Sequence, residues 1–227
     1  MTELPVETPM VTLADRLEAA GVVPVLVVRD AADAVPLARA LLGAGLPCCE
    51  VTFRTAAAAD AIRLIREHVP SMDVGAGTVL TVEQADAAMD AGATFVVAPG
   101  TNPAVVDRVT GRGIPMLPGA ATPSEIETLL ARGISVIKFF PAEPMGGVRM
   151  LRALAGPYPG VRFVPTGGIG LTSLGSYLRL PNVLACGGSW MATPDQISTH
   201  DWEGIDRASR DTAWAVTQAR NEGLSDG

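Results

Sequence analysis

Aromatic residues make up only 4% of this chain, and it holds just three cysteines and two histidines. Each shortage closes off a class of chemistry. His68 and His200 stand far apart with no ligand spacing around either, so the sequence predicts no metal. Cys48 and Cys49 are adjacent and would point to opposite faces of a strand, while Cys186 stands alone. An odd count without a framework fits a reduced, cytoplasmic protein. Basic residues are also in deficit, 17 against 24 acidic, for a formal net charge of −7 with no basic stripe. That argues against a nucleic-acid or anionic-membrane partner but leaves room for a local basic pocket. No apolar run approaches the roughly 20 residues of a bilayer span. The opening "MTELPVETPM" lacks the basic start and apolar core of a secretory signal.

Hydrophobic residues are plentiful, 48% of 227, and that suffices for one large core in a single domain over residues 1–227. The 24 glycines and 18 prolines are dispersed as punctuation between apolar runs. After a helix predicted over Leu13 to Ala20, eight such runs read as strands. They are "VVPVLVV" from Val22, "CCEVTF" from Cys48, "DVGAG" from Asp73 and "TFVVAPG" from Thr94. "IPMLPG" from Ile114, "ISVIKFF" from Ile134, "VRFVPTGG" from Val161 and "VLACGGS" from Val183 complete the set. Helical stretches such as "AADAVPLARALLGAG" and "TVEQADAAMDAGA" lie between them. Apolar strands separated by helices imply parallel pairing with right-handed crossovers. Eight units most economically close into an α/β (β/α)₈ TIM barrel, with a doubly wound open sheet as the alternative. A closing helix is predicted from Asp201 to about Asn221.

Alternation on the second strand puts Cys49, Val51 and Phe53 on one face and Glu50, Thr52 and Arg54 on the other. The apolar set should meet the helices, which turns a carboxylate, a hydroxyl and a guanidinium into the barrel, with Arg54 nearest the C-terminal mouth. One reading is an internal ion pair that only fixes packing, although such pairs add little over an apolar core. On the sixth strand Lys138 shares a face with Val136 and Phe140, and parity alone does not say which face is inward. An outward lysine would snorkel between helices. An inward one would meet Glu50; confinement and Arg54 favour its neutral amine, Glu50 its ammonium. A neutral amine there is a nucleophile suited to Schiff-base formation with a ketone. "PTGGIG" and "CGGSW" end the seventh and eighth strands, where such barrels commonly hold a phosphate on backbone N–H groups, and Ser189 adds a hydroxyl. "GAGT" lacks the third glycine of a dinucleotide fingerprint and instead brings Thr78 to the same mouth.

"EVTFRT", "GAGTVL", "IKFFPAE", "PTGGI" and "GGSW", in this order between Val22 and Trp190, resemble the 2-keto-3-deoxy-6-phosphogluconate (KDPG) aldolases. That family includes bifunctional 4-hydroxy-2-oxoglutarate (KHG) aldolases. The resemblance implies a class I, metal-independent, homotrimeric lyase that needs no cofactor. It implies Lys138 as the Schiff-base lysine and Glu50 as general acid/base. Arg54 and Thr78 would hold the pyruvyl carboxylate, and Pro99 and Phe140 would line that pocket. Thr166 would sit by the substrate hydroxyls, with Gly167, Gly168, Gly188 and Ser189 on the phosphate. The implied reaction is cleavage of KDPG to pyruvate and glyceraldehyde 3-phosphate, with KHG as a second substrate. The galactonate epimer, a phosphosugar isomerase and a silent phosphosugar-binding protein are the rival readings, because fold alone does not fix function.

Overall fold

The computed structural model describes residues 12–225, so "MTELPVETPM" and the expectation attached to it lie outside the described residues. Each of the eight apolar runs carries strand. The segments are β1 (Val22–Leu26), β2 (Cys48–Thr52), β3 (Asp73–Gly77), β4 (Phe95–Val97), β5 (Met116–Leu117), β6 (Gly119–Ala120), β7 (Val136–Phe139), β8 (Arg162–Pro165) and β9 (Cys186–Gly188). The fifth run divides into β5 and β6 because Pro118 has no N–H to continue a ladder, although its carbonyl still accepts from the Lys138 N–H at 2.9 Å. Helices follow the strands, and several start on a hydroxyl or amide cap. Thr81, Asn102, Thr122 and Thr193 each accept a backbone N–H from the first turn, and proline opens the helices at 103, 123 and 194.

Every strand pairing is parallel, as intervening helices require. Six strands run in the order β5-β4-β3-β2-β1-β9, and β6-β7-β8 form a second section. The first strand therefore lies beside the last. Bridges Phe163↔Val183 and Thr166↔Gly187 connect β8 to the β9 segment. The result is an α/β fold with a curled parallel sheet in two sections. It differs from the single eight-strand ladder the sequence suggests at Pro118 and at the β8–β9 seam, where pairing is reduced to two isolated bridges.

Alternate strand residues feed two separate apolar clusters. Cys49, Val51, Ile137 and Phe139 pack with the helices, whereas Val23, Cys48, Phe95, Val97, Leu117 and Val164 form an inner cluster, against which Val136 packs. The helix Leu13–Ala20 contributes Leu13, Leu17 and Ala20 to that inner cluster. Arg16 fixes the helix there through a 2.6 Å bridge to Asp73, the first residue of β3. The helix thus covers the N-terminal ends of the strands and leaves their C-terminal ends for chemistry. The closing helix runs longer than expected, Trp202–Ser225, and packs on the helices Ala34–Gly43 and Leu171–Leu178. Among the described residues no helix is long and apolar enough to cross a membrane.

Candidate active site

The two inner and outer clusters settle what parity left open. Val136 and Cys48 belong with the inner set, so Lys138 and Glu50, two residues further along β7 and β2, also point inward. Both are buried, Lys138 at 5% exposure and Glu50 at 2%. They meet: Lys138 Nζ lies 3.3 Å from Glu50 Oε1 and 3.4 Å from Oε2. Charge-assisted N–H···O bonds close to roughly 2.7–2.9 Å when nothing holds the partners apart. A looser, nearly equidistant contact in a buried setting is a poor stabilising device. It does suit an amine and a carboxyl that exchange a proton around a third group. The Phe140 ring lies beside the amine, its centroid 5.6 Å from Nζ.

Backbone without side chains makes room for this pair. A Cβ on Gly77 would lie 2.0 Å from Glu50 Oε1 and 2.4 Å from its Cγ, so the carboxylate occupies the space a larger residue would fill. Gly119, the register partner of Lys138, has the Pro99 carbonyl oxygen 2.1 Å from where its Cβ would be, which brings Pro99 alongside β6. Thr78 follows Gly77 at the same strand end with φ 57°, a left-handed conformation that is strained for a β-branched residue.

Above the pair lies a cavity of about 200 Å³, lined by Arg54, Phe140, Thr166, Gly167, Gly168, Gly188 and Ser189 among others. Seven of the residues singled out in the sequence therefore meet at one mouth. Lys138, Glu50, Thr78 and Pro99 do not line it; Phe140, which does, connects it to the buried pair through its ring beside Lys138 Nζ. Arg54 lies at the mouth, as expected of it, but on a turn rather than on the strand. β2 ends at Thr52, so the guanidinium rises from a turn as an exposed group on the rim, and the buried partner of Glu50 is Lys138. Thr52 faces inward as expected, but its hydroxyl is committed to the Leu26 carbonyl at 2.8 Å.

Val25, Val27, Ile169, Gly187 and Pro194 also line the mouth and were not singled out. Gly187 has a definite reason to be glycine, since a Cβ there would lie 2.2 Å from Thr166 Oγ1. The tryptophan of "GGSW" folds back over Gly188 and donates its indole N–H to Thr212 Oγ1 at 2.9 Å. None of the three thiols competes as a nucleophile, because burial pushes Cys48, Cys49 and Cys186 well above the ordinary cysteine range.

The family model described as KDPG and KHG aldolase matches residues 13–208. A 2-dehydro-3-deoxy-phosphogluconate aldolase of Treponema pallidum (strain Nichols) is 53% identical over 207 residues, 91% of this chain and 99% of that protein. The KDPG aldolase of Legionella pneumophila, solved with pyruvate captured at low pH as a covalent carbinolamine intermediate, superposes with a TM-score of 0.85. It is 39% identical, covering 88% of this chain and 97% of that one. The Zymomonas mobilis ZM4 enzyme, solved with 3-phosphoglycerate, gives a TM-score of 0.83 at 39% identity, over 88% of this chain and 95% of that one. Sequence and fold agree across nearly the whole described chain: it belongs to the KDPG and KHG aldolase family.

Proposed function

We propose that this chain is a class I aldolase cleaving KDPG to pyruvate and glyceraldehyde 3-phosphate, with KHG as a second substrate giving pyruvate and glyoxylate. The observation that carries the reading is the buried Lys138–Glu50 contact beneath a mouth rimmed by Arg54 and two glycine turns. The curled sheet is one closed (β/α)₈ barrel in this reading, and residues 1–227 are one catalytic domain. The family resemblance supports a cytoplasmic homotrimer acting in the Entner–Doudoroff route.

Proton exchange within the pair leaves Lys138 as the free amine and Glu50 as the acid. The amine attacks the C2 ketone, Glu50 protonates the departing hydroxyl, and loss of water gives an iminium. That cation is the electron sink, so the reaction needs no metal or other cofactor. Arg54 and Thr78 hold the carboxylate and fix the plane of the pyruvyl unit against Pro99 and Phe140. Glu50, now a carboxylate, removes the C4 hydroxyl proton. The C3–C4 bonding electrons pass into the iminium, glyceraldehyde 3-phosphate leaves and an enamine remains. Glu50 returns its proton to C3, and hydrolysis frees pyruvate and the lysine. Thr166 orients the substrate hydroxyls. Gly167, Gly168, Gly188 and Ser189 hold the phosphate, whose distant binding energy positions the reacting bond.

Borohydride added in the presence of pyruvate is expected to fix one pyruvyl adduct, located on Lys138 by peptide mass spectrometry. Folded protein that binds pyruvate but yields no adduct there would remove the class I reading and favour an isomerase or a binding protein. The phosphate placement has its own test. Ser189→Ala is expected to raise KM for KDPG about fivefold to tenfold, with a smaller change for KHG, for loss of one hydrogen bond to a charged group. Equal changes for the two substrates would place the phosphate elsewhere.

A further inference from the structure

The motif "IKFFPAE" ends in a carboxylate that the mechanism above does not use. Glu143 is exposed along the loop after β7, yet its side chain is held. One carboxylate oxygen accepts the hydroxyl of Tyr177, a wholly buried side chain on the helix Leu171–Leu178 that follows the "TGG" turn. The stem of Glu143 lies across Gly168: a Cβ there would stand 2.7 Å from the Glu143 Cβ and 2.8 Å from its Cγ. Backbone bonds run in parallel, with the Ala142 N–H donating to the Thr166 carbonyl at 2.8 Å and the Glu143 N–H to the Gly167 carbonyl at 3.0 Å. Gly147, with φ +53°, opens the space the phenol enters, since its Cβ would lie 2.7 Å from the Tyr177 hydroxyl.

These contacts surround one turn. Gly167 and Gly168 have φ of 104° and 82°, conformations chosen for backbone approach and held by no side chain of their own. Rigidity has to come from outside, and the loop after β7 supplies it on one flank. We infer that Glu143 and Tyr177 are positioning residues that clamp the Gly167–Gly168 turn in its anion-binding shape, and so set the preference for phosphorylated over unphosphorylated substrate. The inference rests on the phosphate placement proposed above. Burial and the Glu143 carboxylate both push the phenol up, so it remains a donor throughout the working pH range. Glu143 turns its charge toward Tyr177, and it is absent from the lining of the mouth on the other side of the turn.

The experiment measures KM and kcat on KDPG and KHG for Tyr177→Phe, Glu143→Ala, Glu143→Gln and the Tyr177→Phe/Glu143→Ala pair, with Ser189→Ala in parallel. Tyr177→Phe keeps the buried ring, and Glu143 is exposed, so folding is checked simply by thermal melting. The expected result is a rise of about tenfold in KM for KDPG in Tyr177→Phe and Glu143→Ala, no further rise in the pair, partial recovery in Glu143→Gln, and KM for KHG within about twofold of the parent. Equal losses on both substrates would mean a merely structural bond and would overturn the inference. So would additive losses in the pair. If Ser189→Ala separates the substrates and Tyr177→Phe does not, the clamp fails while the phosphate placement stands. If neither separates them, both fall. If only the Tyr177 and Glu143 variants separate them, the clamp stands and the turn binds the phosphate without Ser189.

Discussion

Replacing Lys138 by alanine is expected to lower kcat/KM for KDPG by at least about 10⁴-fold, roughly 5 kcal/mol of transition-state stabilisation. No other group at the site can take its place. The neighbouring thiols are buried with their charged forms disfavoured, and a guanidinium such as that of Arg54 is no amine nucleophile. The variant also leaves Glu50 as a buried carboxyl without its cation, which on an ion-pair basis would destabilise by about 3–5 kcal/mol. The 3.3 Å contact is longer than a close charge-assisted bond, which argues for the lower end of that range. Steady-state kinetics on protein shown to be folded by circular dichroism checks the first expectation. Retained turnover would remove the iminium from the mechanism. Lys138→Ala combined with Glu50→Gln should recover melting temperature without recovering activity, which separates the two effects.

The second large effect is expected at a residue with no side chain. Gly77→Ala puts a methyl group where the Glu50 carboxylate now sits, 2.0 Å from Oε1. Glu50 lies on a central strand whose register with β3 pairs it with Gly75 and fixes Thr52 opposite Gly77, so the backbone cannot slide to accommodate the methyl. The carboxylate must turn away from Lys138. Proton transfers at C4 and C3 then lose their mediator, and kcat is expected to fall by about 10²-fold to 10⁴-fold, the usual worth of a positioned acid/base. Pyruvate binding should persist and borohydride trapping should slow rather than vanish, since the amine remains. Wild-type turnover in Gly77→Ala would show that Glu50 is not the group that moves the protons.

Glu50 and Lys138 were legible because a charge within an apolar strand is conspicuous, and alternation assigns it a face. Lys138 needed more than its own strand, since Val136 and Phe140 on one side and Ile137 and Phe139 on the other are equally apolar. Only the partition into inner and outer clusters, with Val136 packed on the inner one, resolves it. The strands themselves were legible for the same reason, as runs too apolar to face water on either side. Arg54 reached the mouth as expected, although alternation was extended past Thr52, where β2 gives way to a turn. Pro118 carried a signal that eight-fold counting passed over: a proline within a strand run interrupts its ladder. Gly77 and Gly187 were the least legible. A glycine that exists to give another residue's side chain its space looks, in sequence, like any glycine in a strand or turn.

The helix Leu13–Ala20 has a consequence for traffic through the enzyme. With Leu13 and Leu17 packed into the inner cluster and Arg16 bound to Asp73, the N-terminal side of the curled sheet is closed. Substrate enters and both products leave by the same mouth. In the proposed mechanism the three carbons attached to Lys138 would sit at the closed end, with the phosphorylated fragment between them and solvent. Glyceraldehyde 3-phosphate must therefore depart before pyruvate can, and in the condensing direction pyruvate must arrive first. Kinetics with a compulsory order are then dictated by the architecture as well as by the chemistry. A glyceraldehyde 3-phosphate that lingers would trap the enamine beneath it and return it to substrate.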